Sequence, residues 1–132
     1  MRHHRQDIAM NLNRTVVLVV DDEALQRWHA ADLLAQAGYV VVEADDAMTA
    51  MRIMEDRGDV EILFTDIQMP GPFDGMELAR RVHVRWPRVR LLVTSGQLEI
   101  DDTDLPDHGR FVPKPYQAGD LLGKMSGLIA PR

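Results

Sequence analysis

Apolar and polar positions fall along this chain in alternating blocks. Thr15-Val-Val-Leu-Val-Val20 is an unbroken β-branched and apolar run, the pattern of a strand buried on both faces. It stops at Asp21-Asp22-Glu23. From Ala24 to Ala37, the residues Ala30, Leu33, Leu34 and Ala37 recur on one helical face, and Gly38 supplies a helix end. Tyr39–Glu43 predicts a second strand. Asp46 is placed to cap a helix that carries Ala47, Ala50, Met51 and Met54 and ends near Gly58. Val60–Thr65 predicts a third strand, which delivers Asp66. A Pro/Gly-rich loop, Met69 to Gly75, leads to Asp74, a cap for a helix over Gly75–Trp86 that Pro87 stops. Arg90–Ser95 predicts a fourth strand and Phe111-Val112 a short fifth. Gln117–Ile129 predicts a last helix with Leu121, Leu122, Met125, Leu128 and Ile129 turned inward.

Strands that alternate with helices give a parallel sheet covered on both faces. The stretch Gly96–Arg110 breaks the rhythm, because Glu99, Asp101, Asp102, Asp104, Asp107 and Pro106 oppose a helix there. A length of 132 residues fits one domain. The net charge of −6 and pI near 5.2 argue against a general nucleic-acid binder. The absence of cysteine excludes a disulfide scaffold, a thiolate zinc site and a cysteine nucleophile. No apolar run approaches the roughly 18 residues of a membrane span. Residues 1–14 are polar and read as a disordered arm rather than a secretory signal; His3 and His4 there read as solvated.

The polar residues that end the apolar blocks carry the candidate chemistry. Asp21 and Asp22 follow strand one, Asp66 strand three, Thr94 and Ser95 close strand four, and Lys114 follows strand five. In an open parallel sheet, ligands bind beyond the carboxyl ends of the strands. If strands one and three are neighbours, three carboxylates meet there and repel unless neutralised. A hard divalent cation such as Mg²⁺ meets that need through oxygen ligands, and Lys114 adds a charge that can pair with Asp66. The set suits phosphoryl transfer to a carboxylate nucleophile, with the cation and the lysine countering charge on the phosphoryl oxygens.

With those residues in place, 15–130 resemble a receiver domain of bacterial two-component response regulators, of the stand-alone type. The matching pieces are Val-Leu-Val-Val-Asp-Asp-Glu (17–23), Phe-Thr-Asp-Ile-Gln-Met-Pro-Gly (64–71), Asp-Gly-Met-Glu-Leu-Ala (74–79), Val-Thr-Ser-Gly (93–96) and Val-Pro-Lys-Pro-Tyr (112–116). The resemblance implies an α/β fold: a doubly wound five-stranded parallel sheet of flavodoxin-like order 2-1-3-4-5 with a shortened fourth helix. It implies Asp66 as phospho-acceptor and Mg²⁺ (or Mn²⁺) held by Asp21, Asp22, Asp66 and the main-chain carbonyl of Gln68. Ser95 would be the switch hydroxyl, with Thr94 the alternative one position away. Lys114 would grip the phosphoryl group ahead of a cis peptide to Pro115. Phe111 would be the switch aromatic, acting by packing alone since it lacks a tyrosine's hydroxyl. Gln68, two residues past Asp66, and Gln97, two past Ser95, are positioned to influence the hydrolytic water.

The implied partners are a sensor histidine kinase, a histidine phosphotransfer protein, or both, together with a downstream protein. Neither nucleic acid nor membrane is expected as a direct partner, and the setting is the bacterial cytoplasm. The chain stops after the last helix, so output is expected by contact, or the domain serves as a phosphate shuttle or sink. Lys114 follows Ser95 by 19 positions, a few fewer than is usual for such domains. That disfavours dimerisation through the fourth helix and implies a monomer or weak homodimer.

Competing readings meet specific obstacles. An aspartyl-nucleophile phosphatase needs an acid two residues past the nucleophile, where this chain has Gln68. A flavodoxin-like electron carrier needs a Ser/Thr/Gly-rich phosphate loop after strand one, where this chain has three acids. No G-x-x-x-x-G-K-[ST] loop is present. Arg80, Arg81, Arg85, Arg88 and Arg90 read as a solvated face around the third helix. Trp28, early in the first helix, is either packing or a docking aromatic.

Overall fold

A computed structural model describes residues 14–129; the expected N-terminal arm and its histidines lie outside them, Arg14 excepted. The elements run β1 (Val16–Val20), α1 (Ala24–Gln36), β2 (Val40–Ala44), α2 (Ala47–Asp56), β3 (Ile62–Asp66), α3 (Gly75–Arg85), β4 (Arg90–Ser95), β5 (Arg110–Pro113) and α4 (Ala118–Ile129). All strand pairs are parallel, in the order β2-β1-β3-β4-β5. This is the doubly wound, flavodoxin-like sheet. Among the described residues no helix is long and apolar enough to cross a membrane.

The sheet separates two cores. Val16, Leu18 and Val20 of β1 pack with α2 and α3 residues such as Ala50, Met54, Leu78 and Val82. Val17 and Val19 point the other way, toward Leu34 of α1 and Leu121 and Met125 of α4. Alternation across a strand with a core on each side is why β1 is apolar at every position. Ile129 is the exception among the inward residues expected on α4; it is 38% exposed.

The helix starts follow the capping signals. Asp46 accepts from the Thr49 N–H at 2.7 Å and Asp74 from the Glu77 N–H at 3.0 Å, each satisfying a first-turn donor. Gly38, just past α1, has φ of 100°. Several boundaries move by one or two residues from the sequence pattern: β2 and β3 begin later, and β5 gains Arg110 and Pro113 around the expected pair.

Between β4 and β5 there is no α-helix, only two single 3₁₀ turns, Asp102–Asp104 and Pro106–His108. Asp107 and His108 both lie in the left-handed region, at φ of 53° and 59°. Leu105 anchors the segment in the α2/α3-side core. The Asp102 carboxylate accepts from the Phe111 N–H at 2.9 Å, capping a donor on the edge strand β5.

Candidate functional site

The sheet order makes β1 and β3 neighbours, so their carboxyl ends deliver Asp21, Asp22 and Asp66 to one place. One carboxylate oxygen from each lies within 4.8 Å of the others. Asp21 and Asp66 are buried while Asp22 is exposed, so the cluster opens to solvent on one side. Glu23 N–H donates to Asp21 Oδ1 at 2.9 Å, and Arg27 Nη1 donates to the Asp21 main-chain oxygen at 2.9 Å.

Lys114 arrives from the end of β5, after which the peptide to Pro115 is cis. Its ammonium lies 3.1 Å from Asp21 Oδ2 and 3.3 Å from Asp66 Oδ2, and it also donates to Gln26 Oε1. The expected pair with Asp66 is therefore a fork that includes Asp21. One ammonium against three carboxylates leaves a net negative site. Burial pushes the Asp66 carboxyl up from its ordinary range; Lys114 pulls it down, while Asp21 and Asp22 push it further up. Oxygen-only donors, excess negative charge and an open side fit a hard divalent cation such as Mg²⁺.

Asp22, Asp66 and Lys114 border a cavity of about 750 Å³, whose wall also includes Gln68, Gln97, His29 and Tyr116. The Tyr116 ring stacks on His29, centroids 6.4 Å apart, and tilts against Phe64 at 5.8 Å. Burial, then the charges of Asp21 and Asp66, push the Tyr116 phenol up to about 12. The floor of the site needs a glycine. A Cβ on Gly75 would stand 1.8 Å from the Asp66 main-chain oxygen, so α3 starts against the Asp66 carbonyl.

The two hydroxyls that close β4 differ in their bonding. Thr94 lies in register opposite Asp66, is 2% exposed, and its Oγ1 has no hydrogen-bond partner. Ser95 Oγ donates to Gln68 Oε1 at 2.6 Å and accepts from the N–H groups of Gln97 and Leu98. Phe111 is already buried, in the α2/α3-side core with Val93 and Leu105. Sequence reasoning missed Gln26 and His29 as site residues. Both follow Asp22 at helical spacing on α1, a signal that was present. The Gly75 contact had no such signal.

Residues 17–126 match the response regulator receiver domain family. The chain belongs to that family. The receiver protein CpdR of Brucella abortus is 28% identical over 119 residues, covering 88% of this chain and 97% of its own. The sensor kinase CckA of the same organism is 34% identical over 117 residues, but this chain spans only 12% of it. A solved response regulator receiver protein from Pseudomonas putida superposes with a TM-score of 0.75 at 29% identity, covering 86% of this chain and 97% of that one. This receiver domain thus has a place in two-component signalling. The basic face expected around α3 is paired locally: Arg80 and Arg81 with Glu77, and Arg85 with Glu55, all at the surface.

Proposed function

We propose that this receiver accepts a phosphoryl group on Asp66 from a phosphohistidine, and that the modified domain acts by contact with a protein. The donor is a sensor histidine kinase or a histidine phosphotransfer protein. The observation that carries the reading is the grouping of Asp66 with Asp21, Asp22 and the Lys114 ammonium, with Asp22, Asp66 and Lys114 lining one cavity. An Asp66 carboxylate oxygen forms the new bond to phosphorus as the phosphorus–nitrogen bond breaks, and the electron pair returns to the imidazole. Lys114 sits where it counters charge on the phosphoryl oxygens.

Mg²⁺ (or Mn²⁺) would be held by the carboxylates of Asp21, Asp22 and Asp66 and the main-chain carbonyl of Gln68. Bound there, it supplies positive charge to the phosphoryl oxygens and relieves carboxylate repulsion. The pattern of hydrogen bonds favours Thr94 over Ser95 as the switch hydroxyl. Thr94 is a buried donor without a partner beside Asp66, and a phosphoryl oxygen would satisfy it; the Ser95 hydroxyl is already fully engaged. Phe111 would respond by repacking within its core.

A titration of the metal-free protein tests this site. Mg²⁺ and then beryllofluoride, a phosphoryl mimic, are added while the half-exposed Trp28 on α1 reports by fluorescence. Two saturable changes are expected in wild type. Asp21→Asn with Asp22→Asn should weaken the first by at least about tenfold, and Asp66→Asn should abolish the second. A wild-type chain that responds to neither ligand, by fluorescence or by thermal unfolding, would sink the reading.

A further inference from the structure

The loops after β3 and β4 meet through one hydroxyl, and its bonding decides which way a neighbouring amide faces. Ser95 is 1% exposed. Its Oγ accepts from the Gln97 N–H at 3.1 Å and the Leu98 N–H at 2.9 Å. A serine hydroxyl has two lone pairs and one proton. With both lone pairs taken, the proton goes to the third neighbour, the Gln68 side chain at 2.6 Å. That atom has to be Oε1, because an amide nitrogen would set donor against donor. The orientation of a glutamine amide is normally assigned from its network, and this network admits one answer. Gln68 also lines the cavity with Asp66, Lys114 and Gln97. With its oxygen held on Ser95, the NH₂ is the arm left for the cavity.

We propose that Ser95 is a positioning residue that locks the Gln68 carboxamide donor-side toward Asp66 and so prolongs the aspartyl phosphate. The proposal rests on the reading of Asp66 as phospho-acceptor. In hydrolysis, a water oxygen bonds to phosphorus as the bond to the Asp66 carboxylate oxygen breaks. The electron pair returns to the carboxylate, and both water protons end on the released inorganic phosphate. An acceptor aimed at that water assists its attack. The locked amide offers no acceptor, only donors that suit phosphoryl oxygens. An unlocked amide can turn over and present Oε1 to the water.

The test follows loss of the phosphoryl mass with time in protein charged by a small acyl phosphate and Mg²⁺. Wild type, Ser95→Ala, Gln68→Met, the double variant and Gln68→Glu are compared, with thermal unfolding recorded for each. Ser95→Ala should decay roughly threefold to tenfold faster, the factor associated with one hydrogen bond. The double variant should decay at the Gln68→Met rate, since without the amide there is nothing for Ser95 to orient. Gln68→Glu presents an acceptor however it turns, so it should also decay faster, which keeps the test alive if Ser95→Ala fails to fold. Ser95→Ala or Gln68→Glu decay no faster than wild type overturns the proposal. So does a Ser95→Ala effect that persists undiminished beside Gln68→Met. Those outcomes leave Asp66 as acceptor, whereas no phosphoryl uptake by any variant refutes the acceptor reading itself.

Discussion

Asp66 is held in surroundings that cost the fold some stability. It is 5% exposed, and burial, reinforced by Asp21 and Asp22, outweighs the attraction of Lys114, so its carboxyl lies above the ordinary value of 3.8. A carboxyl raised on folding binds its proton more tightly in the native state. Its contribution to stability is therefore full below the unfolded pKa and is lost as pH rises through the folded one. Asp66→Asn removes that dependence. In metal-free buffer at pH 7 the variant should be more stable than wild type, read as a higher Tm. The advantage should shrink to nothing below the ordinary carboxylate range. Thermal scans across pH check it, and a variant less stable than wild type at pH 7 would contradict the electrostatic account. Lys114 keeps Asp21 and Gln26 in this variant, so no buried ammonium is stranded.

At the scale of elements, what could be read in the sequence and what could not divides along physical lines. The four helices and five strands follow from apolar periodicity and from Asp46, Asp74 and Pro87, whose effects are local. The site residues at the strand ends were legible for a related reason. An acid that ends a buried apolar run is costly to desolvate, and acids at the matching ends of two strands point to a shared ligand. The interstrand contacts were not legible. That Lys114 bridges Asp21 as well as Asp66, that α3 starts against the Asp66 carbonyl, and that Ser95 holds Gln68 all depend on loops meeting across the sheet. The 3₁₀ segment is a mixed case. Its acids and Pro106 argued against a helix, but not for the role of Asp102. That carboxylate accepts from the Phe111 N–H on an edge strand, where unpaired donors invite foreign strands. Asp102→Ala should release about 1 kcal/mol of local stability. Amide exchange at Phe111 should quicken about fivefold, while exchange in the central strands β1 and β3 is unchanged. Unaltered exchange at Phe111 would show that the carboxylate does not hold the strand.

For the molecule as a whole, the doubly wound sheet separates two tasks. Two cores, one on each face, fix β1 and β3 as neighbours, and the acids of the site gather where those strands end. The central claim is that this end of the sheet makes Asp66 a phosphoryl acceptor with help from a divalent cation. Intact mass after incubation with a small acyl phosphate and Mg²⁺ tests it most directly. The account predicts a single added phosphoryl group on wild type, absent with EDTA and absent in Asp66→Asn. An adduct that survives Asp66→Asn, or one indifferent to EDTA, would contradict it.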